Sequence, residues 1–317
     1  MNRKSILSVA ILSTVTTSAF AFDASRLSGE LMLGTGYVST NSNLSTKSEA
    51  FLNDRNQKGS HNDDFIVVPL GSVAYELGGN NNQKVYLGTS RDDLAVGDLA
   101  FEIGYQYSML NGTHIDIAYL PTVLSGEAWA NPYLEGHRTK TDVDGEAYRL
   151  KLGNIFGSNF SLDMAYANTE VDDEQIINQE LLRDSNRYYM KGGYVTYFTP
   201  SMGLSTSLGY LHNDAEGKAE TFDQYELEMT YFMNMNAHSL AVTSSYAYRD
   251  YDGHNSLYNK TRADNKHKLF VAYEYANIPG FDNWNFVSFA GVNYTDSNIN
   301  FYKSEDYLAS VGLSYKF

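Results

Sequence analysis

Asp306-Tyr307-Leu308-Ala309-Ser310-Val311-Gly312-Leu313-Ser314-Tyr315-Lys316-Phe317 is the stretch whose reading decides the fold. Tyr307, Ala309, Val311, Leu313, Tyr315 and Phe317 occupy alternate positions, with Asp306, Leu308, Ser310, Gly312, Ser314 and Lys316 between them. Successive side chains of a strand point to opposite faces, so this is a strand with a different solvent on each side. A half-buried edge strand of a soluble β protein writes the same pattern. The rest of the chain has to separate the two.

The apolar face is bracketed by tyrosines and closes on a terminal Phe. In this it resembles the closing strand of Gram-negative outer-membrane β-barrels. That resemblance implies a closed barrel and, as a partner, the insertion machinery that reads the C-terminal strand ending at Phe317.

Working outward, the same alternation recurs. Phe101, Ile103, Tyr105, Tyr107 and Met109 stand against Glu102, Gly104, Gln106 and Ser108; Phe160, Leu162, Met164 and Tyr166 stand against Ser161, Asp163 and Ala165. Leu99 extends the first of these sets. Tyr225, Leu227, Met229 and Tyr231 stand against Gln224, Glu226 and Glu228. The pattern predicts fourteen strands, with twelve as the alternative because the segments from Lys84 and from Trp284 are weaker. Connections alternate short and long, and the count is even with both ends on the short-turn side, as a single-chain barrel requires. Fourteen strands of roughly ten membrane residues use about 140 residues, near half of the chain. Long external loops are expected at Thr40 to Asp63, Ser125 to Gly145, Glu170 to Asp184 and Asp250 to Asn265, with a further loop at Arg91 to Gly97. A three-residue loop, Leu110-Asn111-Gly112, keeps the apolar residues on both sides of it on one face, with Gly112 in the left-handed position.

The address agrees. Met1-Asn2-Arg3-Lys4 is basic, an apolar stretch follows from Ile6 to about Val15, and Ala19-Phe20-Ala21 fits a small-x-small cleavage site. Residues 1–21 therefore read as a secretory signal and 22–317 as the barrel, 317 − 21 = 296 residues with no plug domain ahead of the first strand. There is no cysteine, which excludes disulfides and thiolate metal sites. Removing Arg3 and Lys4 leaves 21 basic against 38 acidic residues, a charge of −17, which argues against nucleic acid. Tyrosine is abundant at 26 and proline scarce at 5, which disfavours disorder and suits a barrel with aromatic belts. The segment from Lys84 to Glu174, including Leu87-Gly88-Thr89 and Gly126 to Pro132, is similar to an uncharacterised family of gammaproteobacterial exported proteins. That family implies no catalytic residues.

The positions opposite the apolar face should line the lumen. They carry the acids Glu30, Glu76, Glu102, Asp116, Asp163, Glu226, Glu228 and Glu274, and the bases Lys84, Arg149, Lys151, Lys191, Arg249 and Lys268. Such charges select solutes in a pore, or brace a wall as ion-paired ladders. Arg149, Lys151 and Lys191 should form a basic patch that Asp163 partly neutralises. An enzyme would need a constellation, and the candidates are His238 beside Ser239, and His212 near Asp214 with Asp92-Asp93. Adjacent strand residues face opposite ways, so His238 and Ser239 make no dyad alone. Asp142-Val143-Asp144-Gly145-Glu146 and Asp172-Asp173-Glu174 lack the full ligand series of a calcium loop and read as solvated loops. The chain is therefore expected to be an outer-membrane channel for small hydrophilic solutes, not an enzyme, without metal or cofactor. It should be monomeric rather than trimeric, with membrane lipid and lipopolysaccharide as partners. A closed structural or adhesion barrel is the alternative, and a lipid-active hydrolase or a protease a third reading.

Overall fold

The computed structural model describes residues 23–80, 82–96, 100–121 and 126–317. The signal segment and Leu99 lie outside them. Fourteen antiparallel strands close into one barrel. They are β1 (Leu27–Thr40), β2 (Asn62–Leu77), β3 (Gln83–Thr89), β4 (Phe101–Ser108), β5 (His114–Pro121), β6 (Lys140–Gly153), β7 (Phe160–Val171), β8 (Ser185–Thr199), β9 (Met202–Ala215), β10 (Phe222–Met235), β11 (His238–Asn255), β12 (Lys260–Tyr275), β13 (Trp284–Ser297) and β14 (Ser304–Lys316). Each pairs with its chain neighbours. The ring shuts where β14 meets β1, from Glu30 opposite Lys316 to Thr40 opposite Asp306. Phe317 adds two backbone hydrogen bonds with Gly29, of 2.9 and 3.0 Å.

The alternation of the closing strand is a difference of surroundings. Val311 and Leu313 are 49% and 46% exposed on the outer face, whereas Ser310 and Ser314 between them are 6% and 0% exposed. The outer face is apolar, as a surface against lipid is, and tyrosines mark its upper edge. Tyr119–Tyr148, Tyr166–Tyr188 and Tyr210–Tyr225 pair there with ring centroids 5.4 to 5.5 Å apart. Phe160–Tyr194 and Trp284–Tyr315 mark the lower edge. Such aromatics are amphipathic rings at the level of the lipid headgroups. In the turn after β4, Met109 N–H bonds to Thr113 O at 2.8 Å, and Gly112 takes φ +89°. The expected three-residue loop is there.

Several connections depart from the sequence reading. Ser125 to Gly145 is not one long loop: β6 starts at Lys140, and Gly126–Trp129 pairs with it. Asp250 to Asn265 is mostly strand, since β11 runs to Asn255 and β12 starts at Lys260. Asp142 to Glu146 accordingly lies in β6 and not in a solvated loop. The reason is common to all three. Above the belt both faces of a strand are polar or covered by neighbouring loops, so the alternation that reveals a strand in lipid disappears. Arg91 to Gly97 also departs: Arg91–Val96 is a short helix, α1. It turns into the lumen and packs against β11 and β12 on the far side of the ring. The Glu170 to Asp184 loop contains a 3-10 turn over Gln179–Leu181.

Six of the seven long connections meet each other at the external rim. Leu52 after β1, Tyr133 after β5, Leu181 after β7, Ala219 after β9, Leu257 and Tyr258 after β11, and Ile299, Phe301 and Tyr302 after β13 form one apolar cluster. Leu181 and Phe301 are fully buried in it. Phe51–Leu52 and Gly136–His137 form a two-stranded clasp between two of the loops. Loop side chains of a wide-open mouth would be solvated. Here they make a hydrophobic core of their own, and the core forms a cap over the barrel.

Candidate functional site

The site is built by register. One row of directly opposed residues runs along the inner wall: Glu76, Lys84, Gln106, Asp116, Lys151, Asp163, Lys191, Gly209, Glu226, Ala247 and Lys266, one from each of β2 to β12. The charged members alternate in sign. Opposite charges facing each other across strands attract, and like charges would repel. Because barrel strands tilt from the axis, such a row climbs as it goes round. It starts next to the short-turn end of β2, at Glu76, and reaches Lys266 in the upper part of β12.

Around the middle of this row the charges are knotted. Arg149 bonds to Asp93 at 2.8 Å, Glu102 at 2.8 Å and Asp163 at 2.6 Å. Lys151 lies 3.2 Å from Asp93. Tyr86 Oη is 2.9 Å from Glu102 and 2.7 Å from Asp116, and Gln106 donates to Asp116 at 3.0 Å. A planar guanidinium with five N–H groups is the side chain able to serve three carboxylates at once. Gly104 lets Tyr86 lie flat: a Cβ there would run into its ring. Asp93 arrives on α1, so the helix is tied to the wall by ionic bonds. Arg149, Lys151 and Lys191 therefore do not make an open basic patch. The first two share three carboxylates, and Lys191 pairs with Glu228 at 3.3 Å.

The remaining expected residues are placed as follows. Glu226 lies on the inner face of β10, within 3.5 Å of Gln224. Arg249 bonds to Gln224 at 2.7 Å and sits 4.1 Å over the Phe222 ring. Glu274 bonds to Lys316 at 2.6 Å. Lys268 stands on β12 between Ser245 and Asn293. Sequence reading missed Asp93 as the centre of the knot, because its role depends on a helix that crosses the lumen.

It also missed an apolar patch on the other part of the inner wall. Met32 on β1, Leu70 on β2, Phe270 on β12 and Val287 and Phe289 on β13 all point inward, and Phe270 stacks on Phe289 with centroids 6.0 Å apart. A signal existed. Phe65-Ile66-Val67-Val68-Pro69-Leu70 is a continuous apolar run, the mark of a strand apolar on both faces.

The cap has a buried polar centre. Tyr133 Oη donates to Glu220 at 2.9 Å and lies 2.9 Å from Tyr302 Oη. Arg262 approaches Glu220 at 3.9 Å, pairs with Asp264 at 2.7 Å and lies 3.5 Å over the Tyr302 ring. Burial pushes the Glu220 carboxyl above its ordinary value, against the pull of Arg262. Burial likewise raises the Tyr133 and Tyr302 phenols.

Among the described residues, the histidines form no hydrolytic constellation with their expected neighbours; the Asp92 side chain lies outside them. His212 pairs with Asp223 at 2.8 Å, not with Asp214 or Asp93, and stacks on Tyr188. His238 bonds to Tyr273 at 2.8 Å. A cross-strand pair that the sequence did not suggest, Ser108 and His114 at 2.8 Å, lies at the short-turn end of β4 and β5. Among the described hydrogen bonds, no carboxylate orients that imidazole.

No curated protein matches this chain. Among solved structures it is similar to a loop-deletion mutant of OmpT, an outer membrane protein of Vibrio cholerae, at 11% identity, TM-score 0.44, covering 91% of this chain and 99% of that one. It is also similar to the outer membrane channel DcaP of Acinetobacter baumannii, at 9% identity, TM-score 0.46, covering 93% and 99%. A third is an anion-selective porin from Comamonas acidovorans, at 10% identity, TM-score 0.44, covering 92% and 98%. A family model described as protein of unknown function (DUF2860) matches residues 27–316, so this β-barrel belongs to that family.

Proposed function

We propose that the protein is an outer-membrane channel for small hydrophilic solutes, held shut at its external mouth by the loop cap. The carrying observation is the row of alternating charge from Glu76 to Lys266. It gives the lumen a wettable track that climbs most of the wall while adding little net charge. Eight strands leave an interior filled by side chains and sixteen leave an aqueous channel, so fourteen strands enclose space that something else must block. Here α1 and the cap block it, and neither belongs to the wall. A barrel serving only as a brace has no use for a separable stopper.

In this reading the chain is exported through its signal segment and inserted through the strand that ends at Phe317. It works as a monomer among lipid and lipopolysaccharide. Arg149, Lys151, Asp163, Lys191, Glu102, Asp116, Glu226, Glu228, Arg249, Lys268 and Glu274 set which charges pass. Swelling of liposomes holding the purified barrel tests it. Small sugars should enter faster than into empty liposomes, and faster still when the cap is loosened by Phe301→Asp. Equal rates for empty, wild-type and Phe301→Asp liposomes would leave the closed structural barrel as the better reading.

A further inference from the structure

The apolar arc of the lumen encloses a half-open cavity of about 380 Å³. Met32, Leu70, Leu94, Phe232, Val287 and Phe289 supply its apolar lining. The charged row does not run through it. Two carboxylates, Glu30 and Glu274, line it, and Glu274 is held by Lys316 at 2.6 Å. We propose that this cavity is a binding site for one small uncharged hydrocarbon, the size of a two-ring aromatic or a short alkyl chain.

Volume sets the size. An apolar cavity of about 150 Å³ stays dry and takes one benzene, so this one has room for between two and three such rings. Lining sets the chemistry. Apolar side chains supply most of the lining, with Glu30, Ser72, Thr89, Asn234, Ser239 and Glu274 as the polar positions, and an apolar guest covers the larger, apolar part of that surface. The two carboxylates disfavour an anion. Among the described residues, six of the long connections are engaged in the cap, and α1 already contributes Leu94.

A hydrocarbon guest has a way in along the inner face of β2, where Val68 and Ile66 continue the lining upward. Among the described residues, Asn62–Leu70 of β2 pairs with β1 alone, because β3 stops at Thr89, one position beyond the partner of Ser72. The site goes beyond the proposed channel function and does not depend on it.

Two sources share this chemistry, a free small hydrocarbon and the acyl chain of a bilayer lipid. The test uses the full barrel in lipid nanodiscs titrated with radiolabelled naphthalene, with empty nanodiscs subtracted. Binding should saturate at one molecule per barrel. Leu94→Glu, which changes the helix and leaves the wall alone, and Ala272→Trp, which fills the cavity, should each weaken binding by about tenfold or more, equivalent to about 1.4 kcal/mol. Heat-modifiable migration confirms that both variants are folded barrels. Native mass spectrometry separates the sources. A lipid that leaves on adding naphthalene and is absent from Ala272→Trp assigns the acyl chain, and a lipid-free barrel assigns the free molecule. Uptake that never saturates above empty nanodiscs, or saturable binding unchanged in both folded variants, overturns the proposal.

Discussion

The two arcs of the lumen wall are built from the same strand geometry and end in opposite chemistry. From β3 to β8 the inner face is ionic: Arg149 holds three carboxylates, and Tyr86, Gln106 and Lys151 saturate what remains. From β12 round to β2 it carries an apolar patch, with Phe270 on Phe289 and Met32 beside Leu70, between polar positions such as Lys268 and Glu274. α1 joins them, since its Asp93 reaches Arg149 while its neighbour Leu94 lines the apolar cavity. The difference shows what each chemistry does to a wide barrel. Directional bonds between charges consume the space near the wall and fix side chains in place. Apolar packing has no such reach, and where facing residues are small it leaves a void.

The largest expected effect breaks the ionic arc. Arg149→Gln strands Asp93, Glu102 and Asp163 beside one another, with Lys151 and the Tyr86 hydroxyl left to serve Asp93 and Glu102. Removing one partner of a buried pair costs about 3 to 5 kcal/mol, and the partly open lumen puts this site near the lower figure. Urea unfolding in lipid vesicles reads the loss. Gly104→Val comes next: its side chain pushes Tyr86 off Glu102 and Asp116 and should cost about 1 to 3 kcal/mol in the same assay. On the apolar arc, Phe270→Leu keeps the chemistry and changes the shape, for about 1 kcal/mol. If Phe270→Leu costs as much as Arg149→Gln, the contrast between the arcs is wrong.

The smallest effect is in the cap, which sits above both arcs. Glu220 has its value raised by burial, so its protonated form favours the closed cap. That contribution is present below the ordinary carboxylate range and is lost as pH rises through the raised value. Solute entry should therefore increase from acid toward neutral pH. Glu220→Gln should flatten that dependence, and an unchanged slope would remove Glu220 from the account.

Much of the fold was legible because lipid enforces a sharp rule. Leu31 and Leu33, Phe160 to Tyr166 and Tyr307 to Phe317 alternate because one face has no water, and the strand count followed from them. Strand ends above the belt were not legible: at Tyr251 and Asp252, or Asp142 and Asp144, both faces are polar or capped and no period survives. The charged row was half legible. Asp163 was placed near Arg149 and Lys151 from hairpin spacing, but Asp93 belongs to a helix whose position depends on strands more than a hundred residues later. The cap was hidden for the same reason, since Leu52, Leu181 and Phe301 lie in separate loops with no local pattern to join them.

The central claim is that a solute-conducting barrel is closed by its loops. Single-channel recording in planar bilayers, comparing the wild-type barrel with Phe301→Asp, tests it most directly. Phe301 is fully buried among the loop residues of the cap, so a charge there should disrupt the cap and leave the wall intact. The account predicts a wild-type barrel that is mostly silent and a variant with sustained conductance steps, both showing heat-modifiable migration. A folded variant as silent as the wild type, at every voltage and pH, would contradict it.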